Sequence, residues 1–92
     1  MNIEIRVLAE KIVETLTQRK KFLATAESCT GGSIAAAITD IAGSSQCFGY
    51  GVVTYSNEAK HQLINVSEET LASWGAVSTQ VAEEMARGVK KV

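Results

Sequence analysis

Apolar positions along the 92-residue chain change period several times, and each change marks an element. Ile5, Leu8, Ile12 and Leu16 recur at helical spacing, so residues 3–19 are predicted to form a helix with Asn2 as its cap. Phe22 to Ala26 (FLATA) is a short apolar run suited to a buried strand, and the alanine-rich residues 29–40 read as a helix. The β-branched and aromatic stretch 46–56 (QCFGYGVVTYS) predicts a second strand. Its alternation puts Gly49, Gly51, Val53 and Tyr55 on one face and Phe48, Tyr50, Val52 and Thr54 on the other. Three helices follow: a short one over 57–64, one over 68–74 with Ser67 as cap and Val66 and Leu71 at staple positions, and one over 79–91 capped by Ser78. In the last, Val81, Met85 and Val89 make a single apolar stripe.

Helix, strand, helix, strand, helix in that order implies an α/β layer fold with parallel strands. Two strands are few for a sheet covered on both faces, so the chain reads as an unfinished domain.

Composition narrows the class without changing this picture. Ninety-two residues with 46% hydrophobic and 21% charged residues fit one globular domain. The net charge of −1 gives no basic surface for nucleic acid; the clusters Arg19-Lys20-Lys21 and Lys90-Lys91 read as solvated helix C-termini. The N-terminus carries acidic residues and no long apolar core, which implies neither signal peptide nor membrane span. Cys29 and Cys47 lack any zinc-like spacing, and a cytoplasmic protein with two free thiols is expected.

Candidate chemistry concentrates in three places. In AESCTGG (26–32), hydroxyls and two glycines stand where a strand gives way to a helix, and helix N-termini attract anions. Ser28 or Thr30 could contact a phosphate there and Gly31 and Gly32 could admit it to the backbone; tight packing of helix on sheet accounts for the glycines equally well. The run matches neither the dinucleotide-binding nor the Walker pattern. Gly43-Ser44-Ser45 is a turn that could display a hydroxyl. Tyr55 ends the second strand, and the bases Lys60 and His61 follow it.

Taken together, ATAESCTGG (24–32), GSS (43–45), VVTYSNEAK (52–60), GAVS (75–78) and EEMARG (83–88) resemble the CinA C-terminal domain, the nicotinamide-nucleotide amidase family, across residues 5–92. The resemblance implies a three-layer α/β/α sandwich, of which this chain holds the N-terminal half. It implies hydrolysis of the carboxamide of nicotinamide mononucleotide to nicotinate mononucleotide and ammonia, in pyridine-nucleotide salvage, without metal or cofactor. By position, Ser45 matches the attacking serine, Lys60 its basic partner and Tyr55 a residue lining the site, while Ser28, Thr30, Gly31 and Gly32 match the substrate-binding turn. In this scheme the helix mouth would hold the mononucleotide phosphate. Two departures stand out: Ala42 occupies the place of the family's usual proline, and residues 1–92 end before the family's further strands, its TGIAGP-like segment and a substrate-binding arginine. A homo-oligomer associating through the free strand edge is expected, and the alternative to an amidase is an inactive nucleotide-binding or assembly fragment of the same family.

Overall fold

Asn2 opens the first helix as expected, its Oδ1 accepting from the N–H groups of Glu4 at 2.7 Å and Ile5 at 3.2 Å. The computed structural model describes residues 2–92. Helix α1 spans Ile3–Gln18. It stops where Lys20 turns left-handed (φ 55°), and the N–H groups of Lys20 and Lys21 then close on the carbonyls of Thr17 and Leu16. That reversal starts strand β1 at Leu23–Glu27, one residue later than FLATA indicated, and leaves Phe22 exposed.

Gly31 and Gly32 follow at φ +70° and +117°, a region closed to most side chains, so the chain cannot be helical from residue 29. Helix α2 therefore begins at Ser33 and runs Ser33–Thr39. Residues 44–46, part of which the β-rich run had claimed, form a single 3₁₀ turn after Gly43 (φ +84°). Strand β2 is Phe48–Val53 and pairs with β1 in parallel, as the element order required. Leu23 lies opposite Phe48 and Ala24 opposite Tyr50, so Gly49 is an extra residue in the ladder. This bulge corrects the predicted alternation: Phe48 packs with Leu23 on the α1 side, whereas Val52 packs on the opposite side.

Helix α3 (Asn57–Ile64) is capped by Ser56 and ends at Asn65 in the left-handed conformation (φ 60°). Helix α4 (Glu68–Trp74) is capped by Ser67, and α5 (Thr79–Lys90) by Ser78. The sheet thus lies between two helical layers with a separate core on each face. Ala9, Val13, Ile38, Ile41 and Cys47 fill the space beneath α1 and α2. Ile64, Val66, Val81, Met85 and Val89 fill the other, with Ala24, Ala26, Val52 and the staple residue Leu71 against them. The α5 stripe is buried. The α1 stripe is not: Leu8 is 60% exposed, and Ile5 and Ile12 are also exposed, while Ala9 and Val13 face inward. Ala9 and Val13 pack against Ile38 and Ile41 and the buried Cys47, and the larger side chains are left to border a groove against Ile34 and Ala37 of α2.

Candidate functional site

The carboxyl ends of β1 and β2 lie side by side, and Thr54 extends the ladder by donating to the carbonyl of Glu27 at 2.9 Å. Chain leaving β1 supplies Ser28; chain leaving β2 supplies Thr54 and Tyr55. The cap at Ser56 then aims the first turns of α3 back across these ends. Lys60 on α3 is only 1% exposed. Its ammonium donates to Ser28 Oγ at 2.9 Å, to the Thr54 carbonyl at 2.9 Å and to the Tyr55 carbonyl at 3.3 Å. Three donors meet three acceptors, which compensates the burial of a cation. Among the described residues no carboxylate pairs with it. This is where an open parallel sheet offers a ligand site.

The neighbouring turn departs from its expected role. Glu27, 5% exposed, directs its carboxylate into the mouth of α2, accepting from Ile34 N–H at 2.6 Å and Ala35 N–H at 3.0 Å. The Thr30 hydroxyl donates to the same carboxylate at 3.2 Å and accepts from the N–H groups of Gly32 and Ser33. Gly31 N–H donates to the Ser28 carbonyl. Every N–H from Gly31 to Ala35 is therefore taken, and a negative charge already occupies the helix mouth where a phosphate was anticipated. The glycines serve the turn's backbone: a Cβ on Gly31 would meet nothing within 4 Å, and one on Gly32 only an ordinary contact with Val53, but both need positive φ.

The structure does not bring Ser45 and Lys60 together. Ser45 is exposed on the 3₁₀ turn that precedes β2, and Lys60 follows the strand. Six residues of strand separate them, about 20 Å at roughly 3.3 Å per residue. The hydroxyl beside Lys60 is that of Ser28. Tyr55 contributes its carbonyl, and its ring stands 76% exposed. His61, the other candidate base, is engaged elsewhere: Nδ1 lies 2.7 Å from the Val66 carbonyl and Nε2 3.5 Å from Glu68.

Sequence reasoning missed Glu27. The available signal was an acidic residue just upstream of a helix start, the position the helix dipole favours for a carboxylate. Among the described residues no group of three or more His, Cys, Asp or Glu could hold a metal ion, and no helix is long and apolar enough to cross a membrane.

Residues 5–92 match the family model of the CinA C-terminal domain. The chain is 57% identical over 88 residues to the nicotinamide-nucleotide amidohydrolase PncC of Escherichia coli K12, covering 96% of this chain and 53% of that protein. It is 53% identical over 89 residues to a CinA-like protein of Desulfovibrio desulfuricans, covering 97% of this chain and 21% of the relative. In fold it matches the crystal structure of the competence/damage inducible protein CihA from Agrobacterium tumefaciens with a TM-score of 0.91 at 48% identity, covering 95% of this chain and 53% of that one. The chain thus spans about half, or less, of the length of these proteins.

Proposed function

This chain belongs to the CinA C-terminal domain family, and on that footing we propose that it acts in the hydrolysis of the carboxamide of nicotinamide mononucleotide, giving nicotinate mononucleotide and ammonia. The Escherichia coli relative is named for amide hydrolysis of a nicotinamide nucleotide, and the two sequences are 57% identical over 88 residues. The observation that carries the reading is Lys60: a lysine 1% exposed, held by two carbonyls, with a hydroxyl 2.9 Å from its nitrogen.

Amide hydrolysis needs a group that takes a proton from the attacking oxygen and gives one to the departing nitrogen. Lys60 is that proton carrier in this reading. The Thr54 and Tyr55 carbonyls fix its position, and the exposed ring of Tyr55 together with the exposed Cys29–Gly31 turn borders the space a substrate would enter. The phosphate of the mononucleotide is held away from the α2 mouth, because Glu27 would repel it there.

Ammonia release from nicotinamide mononucleotide tests this. The protein should release it, and Lys60→Met should lower kcat by about 100-fold or more, the lower range for loss of a general base. Turnover unaffected by Lys60→Met would refute the assignment, and binding of the mononucleotide without any turnover would favour an inactive nucleotide-binding member of the family.

A further inference from the structure

The groove between α1 and α2, about 290 Å³, lies away from the Lys60 site and is walled by Ile5, Leu8 and Ile12 against Ile34 and Ala37. These isoleucines and Leu8 are between 42% and 60% exposed. Four large apolar side chains gathered along one groove form a patch of the kind that marks an interaction site. We infer that the groove is a self-association face, where two copies of this chain pair their α1 helices antiparallel about a two-fold axis beside Leu8.

Charge order selects a second copy as the occupant. Glu4 stands four residues before Leu8 and Lys11 three after it, so both flank Leu8 on the same side of the helix. Both are exposed, and among the described residues neither makes an ion pair. Reversing the helix about Leu8 sets Glu4 of one copy opposite Lys11 of the other, twice over. Ile5 and Ile12, three before and four after Leu8, are set against each other in the same way. Acid, apolar residue and base thus form an order that is its own complement when reversed, which an isologous contact requires. A parallel pair would instead oppose like charges. Helix α2 carries no charged side chain, so closing the groove strips none of water. Helices of 16 and 7 residues offer less than the roughly 1,600 Å² of a standard interface, so the dimer is weak and dissociates in dilute protein.

Sedimentation equilibrium of the 92-residue chain at rising concentration tests this, with far-ultraviolet circular dichroism to check that each variant is folded. The wild type should pass from monomer to dimer. Leu8→Glu should raise the dissociation constant by about 100-fold or more, since two apolar contacts are lost at the axis. Lys11→Glu, at a fully solvated position, should raise it by about 10-fold, and adding Glu4→Lys to that variant should restore the dimer. A chain that stays monomeric, or one that assembles beyond a dimer, would overturn the inference. So would a dimer that Leu8→Glu leaves intact, which would place the contact at the sheet edge. A dimer that Lys11→Glu does not weaken, or that the charge swap does not restore, would refute the antiparallel pairing.

Discussion

The carboxylate of Glu27 accepts the backbone N–H of Ile34 at 2.6 Å, so the last residue of β1 caps a helix seven positions further on. Its other oxygen takes the N–H of Ala35. Glu27→Gln keeps the shape but turns an amide NH₂ toward one of these donors. The half-buried donor left without an acceptor should cost about 1 kcal/mol, read as a lower urea midpoint with an unchanged m value. An unaltered midpoint would show that the cap contributes nothing.

Gly88 and Gly49 make opposite predictions. A Cβ on Gly88 of α5 would collide with the Ile64 carbonyl at the end of α3. Gly88→Ala should destabilise by about 1–3 kcal/mol, because neither helix can move without opening the core beneath. Gly49, at the bulge, has nothing within 4 Å of such a Cβ and no positive φ. Gly49→Ala should change stability by about 0.5 kcal/mol or less. Thermal unfolding of the two variants checks the contrast, which fails if both shift alike.

The exposed stripe of α1 and the core beneath it can be separated. Leu8→Ala should cost little, about 0.5 kcal/mol, whereas Ile38→Ala beneath α1 should cost about 2–5 kcal/mol by leaving a cavity. Equal losses in chemical denaturation would mean that the Ile5–Leu8–Ile12 face is covered in solution.

Stability should carry a signature of Glu84. The Thr70 side chain and the Ser67 N–H, 2.8 Å away, both donate to its carboxylate and hold its pKa below the ordinary 4.5. A depressed folded-state pKa stabilises above the unfolded value, and that contribution is lost as pH falls through the folded one. The stability difference between wild type and Glu84→Gln should therefore be constant from neutral pH down to about 4.5 and shrink below it. A difference that persists undiminished into strong acid would rule the carboxylate out as the cause.

What the sequence determined by itself was local. Asn2, Ser56, Ser67 and Ser78 each hydrogen-bond to an N–H two or three residues ahead. Cap, helical stripe and staple are set by neighbours within one turn, so the α3, α4 and α5 boundaries and the Val81–Met85–Val89 face were legible in the order of residues. The parallel pairing followed as well, because a helix between two strands leaves room for little else. Three features were decided only in the folded chain. The buried face of α1 depended on how the helix packs against α2 and the turn before β2, which turned Ala9 and Val13 inward and left Leu8 exposed. The partner of Lys60 is Ser28, 32 positions away, brought there because parallel strands place their carboxyl ends side by side. The residue filling the α2 mouth is Glu27, because two glycines with positive φ fold the turn back on the strand that precedes it. Contacts across such distances are chosen by packing and topology, which no short window of sequence contains.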